Sequence, residues 1–157
     1  MNNLDIELIQ IISKHLRAND CLHLLLTCKH FGHDMWLISE MKKQFTEEKI
    51  DEYKTHSWYL NGKYHREGDK PAVILANGTR YWYKNGKYHR EGDKPAVIWA
   101  NGTKRWYKNG KIYREGDEPA VIWADGTRYW YKNGKYHREG DKPAVIWANG
   151  TRYWYKN

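Results

Sequence analysis

Five tryptophans, Trp58, Trp82, Trp106, Trp130 and Trp154, recur every 24 residues, and the segments between them align without a gap. A strict period of this length marks a chain that stacks one small supersecondary unit on the next. The unit reads TRYWYKNGKYHREGDKPAVIWANG, as in residues 127–150, and four units with part of a fifth fill residues 55–157. The few aromatic side chains in one unit bury too little apolar area to offset the ordering of its backbone. A lone unit is therefore not expected to fold, and contacts between neighbouring units must hold the array.

The unit punctuates itself. Asn-Gly occurs twice in each full copy, as Asn85-Gly86 and Asn101-Gly102 in one of them, with Asp125-Gly126 the one Asp variant. Asn-Gly supplies the two positive φ angles of a type I′ turn, so both are expected to close tight hairpins. Thr79 to Lys84 is rich in aromatics and Ala96 to Trp99 is apolar and partly β-branched, as strands prefer. Pro95 can open its strand without losing an interior ladder bond, and Glu91-Gly92-Asp93-Lys94 before it makes a wider turn. About three short antiparallel strands per unit are predicted.

Comparing copies separates constrained positions from free ones. Trp82-Tyr83 and its equivalents never change, whereas the residue before Trp is Ser57, Tyr81, Arg105, Tyr129 or Tyr153. A position that accepts both Ser and Arg is expected on the surface, and alternation then puts Trp on the packed face. The five tryptophans are read as a structural ladder, and Ser57, Tyr81, Arg105 and Tyr129 as the residues that meet a target. Arg80 and Lys84 flank Trp82 on its own face and are expected to cover its ring.

Charge and composition divide the chain in two. Residues 1–54 carry seven Lys and Arg against nine Asp and Glu, while residues 55–157 carry twenty against ten, so the net charge of +8 belongs to the repeats. Such a surface attracts anionic lipid, nucleic acid or acidic protein, and it also keeps sheet edges soluble.

Before the repeats, Leu4, Leu8, Ile11, Ile12 and Leu16 recur at helical steps behind a cap at Asn3 or Asp5. Leu22, Leu25, Leu26 and Cys28 mark a second helix, and Trp36, Leu37 and Met41 a third that runs towards Phe45. The expected fold class is α+β: a three-helix module over residues 1–47, a linker over 48–54, and an antiparallel β-hairpin array over 55–157. A helix through Cys21 and Cys28 would hold them about 10 Å apart, too far for a disulfide, so both read as small core residues.

Two resemblances follow from these residues. The string Leu4, Glu7-Leu8, Ile11-Ile12, Leu16, Asp20, Leu22, Leu25, Thr27-Cys28-Lys29 and Phe31 resembles an F-box, the trihelical module that docks on the Skp adaptor of cullin-RING ubiquitin ligases. Asp5 stands where most F-boxes carry Pro. The resemblance implies a Skp-type partner met by Leu4, Asp5, Leu8, Ile12, Leu16, Leu25 and Phe31; the same helices read alternatively as a cap over the open end of the array. The paired Asn-Gly turns around an aromatic strand, followed by Asn-Gly-Lys-x-His, resemble MORN repeats, which implies an elongated sheet of hairpins used for protein or phospholipid contact. Arg66, Arg90 and Arg138 stand where MORN units have Gly after His. An F-box ahead of such repeats is similar to proteins encoded by giant DNA viruses.

Chemistry is sparse. Ser occurs only at positions 13, 39 and 57, outside any nucleophile motif, and no Lys-Ser/Thr follows the Asn-Gly sequences to make a phosphate loop. His65, His89 and His137 lie in polar turns, but the third copy has Tyr113 there, which argues against a repeated metal site. Neither catalytic residues nor a cofactor are predicted. With no apolar run of about 20 residues and no signal-peptide pattern, a soluble protein is expected in the cytoplasm, or in the nucleus or a virion if viral. The leading expectation is a substrate receptor that links a Skp-type adaptor to a protein target held by the array. The alternative is a scaffold that self-associates through the strand edge left open at Asn157, or that lies on anionic lipid; nucleic acid ranks below both.

Overall fold

The computed structural model describes residues 47–155, and these form a repeated array of antiparallel hairpins. The strands are β1 (Glu47–Ile50), β2 (His56–Leu60), β3 (Lys63–Tyr64) and β4 (Val73–Ile74). The next unit holds β5 (Arg80–Tyr81), β6 (Tyr83–Lys84), β7 (Lys87–Tyr88) and β8 (Val97–Ile98), and the third β9 (Lys104–Arg105), β10 (Tyr107–Lys108), β11 (Lys111–Ile112) and β12 (Val121–Ile122). The fourth adds β13 (Arg128–Tyr129), β14 (Tyr131–Lys132), β15 (Lys135–Tyr136) and β16 (Val145–Ile146), and β17 (Arg152–Tyr153) follows.

This corrects the α+β expectation. All seventeen described elements are strands and none is a helix, so the described fold is all-β. Glu47, assigned from the sequence to the end of a helical module, instead sits in β1 opposite Tyr59. The compact unit that contains the repeats begins there, and β1 occupies part of the stretch read as a linker. The residues read as adaptor contacts, Leu4, Asp5, Leu8, Ile12, Leu16, Leu25 and Phe31, lie outside the described residues, as do the helices drawn through them.

One main sheet runs β1-β2-β4-β5-β8-β9-β12-β13-β16-β17, so every full unit contributes two neighbouring strands to it. The remaining strands form side hairpins, or arms: β6 with β7, β10 with β11, and β14 with β15, while β3 pairs with β2. Trp82 is the pivot between sheet and arm. Its N–H donates to Ala96 in the main sheet at 2.7 Å, and its carbonyl accepts from His89 in the arm at 3.1 Å. Residues 80–84 are thus one extended run that changes partner at the tryptophan, which reconciles four short strands with the predicted three.

The same pivot explains the invariant Ala. Continuing the pairing of Tyr81 with Val97 sets Trp82 opposite Ala96. Ala72, Ala96 and Ala144 are 0% exposed, and Trp82 and Trp130 are 5% exposed. Only a methyl group leaves room for the indole in a close-packed layer.

The two Asn-Gly turns differ. In the arms both residues have positive φ, as at Asn85 (52°) and Gly86 (79°), the type I′ geometry. In the main-sheet hairpins only the glycine does, as at Gly102 (90°). There Gly102 N–H donates to Trp99 and Trp99 N–H to Thr103, which makes a type I turn closed by a bulged glycine. The extra residue, Ala100, distinguishes the two settings and changes the turn.

Contacts between units recur with the period. Thr79 and Thr103 accept the backbone N–H groups of Ala100 and Ala124 on their buried hydroxyls, each at 3.1 Å. Trp82, Trp106 and Trp130 donate their indole N–H to the carbonyls of Asp69, Asp93 and Asp117 in the preceding unit. His65 Nδ1 lies 3.1 Å from the backbone nitrogen of Asn85 and 3.0 Å from its Oδ1, and Nε2 lies 2.7 Å from the Glu67 carboxylate. His89 likewise sets Nδ1 against the backbone nitrogen of Asn109 and Nε2 against Glu91.

The third unit breaks the arm contacts. Tyr113 replaces the histidine, and no corresponding bond reaches Asn133 among the described residues. Gly86 and Gly110 donate to the carbonyls of Tyr64 and Tyr88, but Gly134 makes no such bond to Ile112. A Cβ built at Gly86 would meet Lys63 at 3.4 Å, whereas among the described residues nothing lies within 4 Å of one at Gly134. The β14–β15 arm therefore stands off from the arm before it.

Candidate interaction surface

Residues directly opposed in an antiparallel sheet share a face. The register accordingly places Ser57, Val73, Tyr81, Val97, Arg105, Val121, Tyr129, Val145 and Tyr153 in one row across the main sheet. All four residues read from the sequence as target contacts lie in it. They alternate with valines, of which Val97 and Val121 are only 2% exposed. Ser57 is 7% exposed and Tyr81, Arg105 and Tyr129 are half-buried, so the variable position is not the open surface that its tolerance suggested.

What covers the row is aromatic. On the side of the main-sheet turns, Trp123 packs on Tyr129 with centroids 6.4 Å apart and Trp147 on Tyr153 at 5.2 Å. The guanidinium of Arg105 lies 4.6 Å from the Trp99 ring and 5.4 Å from that of Trp123. On the side of the arms, tyrosines stack from unit to unit: Tyr64 on Tyr83 at 5.1 Å, Tyr83 on Tyr88 at 4.4 Å and Tyr88 on Tyr107 at 5.0 Å. Ile112 interrupts this ladder, which resumes from Tyr131 through Tyr136 to Tyr155. Trp123 and Trp147 keep 39% and 44% of their surface exposed. The second tryptophans, Trp99, Trp123 and Trp147, and the arm tyrosines Tyr64, Tyr88 and Tyr136 are surface residues that the sequence reading did not assign to a target; their 24-residue recurrence was the available signal.

Burial pushes the phenols of Tyr81 and Tyr129 above their ordinary range. At Tyr83 burial, with a hydrogen bond to Tyr88, pushes the phenol much further. These hydroxyls stay neutral at physiological pH, and Arg105 is the one cation in the row opposite the valines.

The invariant tryptophans face the other way. Trp58, Trp82, Trp106 and Trp130 are buried, while Trp154 is 53% exposed. The cation over Trp82 is Arg90, at 3.8 Å, and not Arg80 or Lys84 as the alternation suggested. Arg66, Arg114 and Arg138 cover Trp58, Trp106 and Trp130 in the same way. Lys84 instead pairs with Glu91 at 3.7 Å. Arg80 is opposed to Ile74 and Ile98, and it forms with Lys104, Arg128 and Arg152 an exposed cationic row that alternates with isoleucines on the reverse of the main sheet.

The turns over the tryptophans bring His, Glu, Arg and Asp together, but their partners are one another, and no group of three or more metal-ligating side chains is found among the described residues. No family model, curated protein or solved structure matches the chain.

Proposed function

We propose that the chain is a protein-interaction adaptor that acts by binding and carries no catalytic chemistry. The observation that carries this reading is the partly exposed aromatic row of Trp99, Trp123 and Trp147 beside Tyr81, Arg105 and Tyr129, the residue types that dominate binding energy in protein interfaces. The F-box-like string of residues 4–31 supports a role in attaching the bound target to a Skp-type ubiquitin-ligase adaptor. Two measurements test the two halves. The full chain should co-elute with the adaptor on gel filtration, and Leu8→Asp should abolish the complex. Affinity capture from host cells should recover a target that Trp123→Ala loses; no adaptor complex at micromolar concentration, or capture unaffected by Trp123→Ala, would sink the corresponding half.

A second reading rests on the reverse face. The row of Arg80, Lys104, Arg128 and Arg152, interleaved with half-buried isoleucines, suits a scaffold lying on an anionic surface. Vesicles with and without anionic lipid, compared at low and physiological salt, decide it, because screening must weaken such binding steeply.

A further inference from the structure

The third unit departs from its neighbours at one spot on the aromatic face. Where the second unit sets Tyr81 beside Tyr88 and the fourth sets Tyr129 beside Tyr136, with centroids 6.1 and 5.4 Å apart, the third carries Arg105 and Ile112. The exchange puts a guanidinium between Trp99 and Trp123. Among the described residues no carboxylate answers it: Arg90, Arg114 and Arg138 each hold an Asp at 2.6 to 2.8 Å, but Arg105 makes no ion pair there, and its buried Nε has no hydrogen-bond partner among them. A guanidinium offers a planar fork of donors whose geometry matches a carboxylate.

The spacing of the face adds a second constraint. Equivalent residues of successive units lie two strands apart, which at about 4.8 Å per strand is about 9.6 Å. A polyproline II helix advances about 3.1 Å per residue with three residues per turn, or about 9.3 Å per turn. The same edge of such a helix therefore returns once per unit, and aromatic-lined grooves are what proline-rich segments dock against.

We propose that this face seats a proline-rich peptide in polyproline II conformation, lying across the strands, with prolines on Trp99, Trp123 and Trp147 and an Asp or Glu carboxylate on Arg105. This rests on the reading of the aromatic face as the target-binding surface. Charge complementarity selects the acidic residue. A nucleic acid would meet only one cation in this row, and a second copy of the same face would oppose Arg105 to Arg105.

The test uses the full chain and synthetic peptides of about twelve residues, enough for four turns at about 3.1 Å per residue, with proline at every third position and one central Glu. Binding is followed by tryptophan fluorescence and calorimetry. A twin peptide with Gln at the centre should bind about tenfold more weakly, the loss of one charge-assisted pair. Arg105→Tyr, which restores the residue found in the second and fourth units, should bring the Glu peptide down to the level of its twin without lowering the melting temperature. Equal binding of the two peptides to the unmodified chain, or a preference for Glu that survives Arg105→Tyr, would overturn the proposal. So would tighter binding of a single-stranded oligonucleotide than of the Glu peptide. If neither peptide binds while Trp123→Ala still abolishes target capture, the peptide is wrong and the surface right; if Trp123→Ala has no effect on capture either, both fall.

Discussion

Arg90 reaches back to Asp69 in the preceding unit with its Nε 2.6 Å from Oδ1 and a second nitrogen 3.2 Å from Oδ2. The same guanidinium lies 3.8 Å over the ring of Trp82 and donates to the carbonyl of Pro95 at 3.2 Å. One side chain thus joins its own tryptophan, its own turn and the unit before it. Lys94 adds a contact to Asp69 at 2.7 Å, and Lys142 does the same for Asp117. Among the described residues Asp93 has Arg114 alone, because Glu118 stands at the lysine position of the third unit.

Acid should loosen these junctions. Hydrogen bonds from Arg90 and Lys94 hold the Asp69 carboxyl down from 3.8 to about 2, and Arg138 and Lys142 lower that of Asp117 further. A carboxylate whose folded value is depressed stabilises the fold fully above its unfolded value and loses that contribution as pH falls through the folded one. The melting temperature should therefore decline as pH drops below 3.8, with the Asp69 share gone below about 2. Asp69→Asn should melt lower than the unmodified chain at neutral pH and show a shallower decline in acid; a full acid decline in the variant would place the titration elsewhere.

The packing of Trp82 against Ala96 predicts intolerance to size. Ala96→Leu should destabilise by about 1–3 kcal/mol through overpacking, while Ala100→Leu, at an exposed turn position, should stay within about 0.5 kcal/mol. Urea unfolding of both variants measures the difference. Equal effects at the two positions would show that the indole does not need the methyl-sized neighbour.

Much of this was open to reading in the sequence, because period and turn chemistry are local. The burial of Trp58 to Trp130, the hairpins and the recurrence of contacts between neighbouring units all follow from spacing. Three things did not. Asn85-Gly86 and Asn101-Gly102 look alike, yet Ala100 before the second converts a two-residue turn into a bulged one. Arg90 is eight positions from Trp82 and comes onto its ring only because the arm folds back, so alternation pointed to Arg80 and Lys84 instead. Tolerance of Ser57 and Arg105 at one position suggested full exposure, but the aromatic cover over the valine row half-buries it. The last two misses concern contacts between segments that meet only when the chain folds back, which no local pattern encodes.

The gap before the β14–β15 arm should be repairable. Tyr113→His places an imidazole where His65 and His89 receive the N–H groups of Asn85 and Asn109. The variant should gain about 0.5–1.5 kcal/mol, the net value of one such bond. Hydrogen exchange gives the sharper readout: the Asn133 amide should become protected to the level of Asn109. Unchanged exchange at Asn133 would mean that Ile112, and not Tyr113, keeps the arms apart.

The turn-to-turn bond made by Thr103 predicts a position-dependent effect of one methyl-for-hydroxyl exchange. Thr103 is 2% exposed and its hydroxyl accepts the N–H of Ala124 at 3.1 Å. Thr103→Val keeps the shape but leaves that N–H without an acceptor, a loss of about 1–3 kcal/mol. Thr151 is exposed and accepts no such bond among the described residues, so Thr151→Val should be nearly neutral. Because the bond spans two units, the Thr103 variant should also broaden the unfolding transition, as coupling between neighbours sets the cooperativity of a repeat array. Chemical denaturation read by tryptophan fluorescence reports both quantities. A lower midpoint with an unchanged slope would assign Thr103 to the stability of its own hairpin and not to communication along the array.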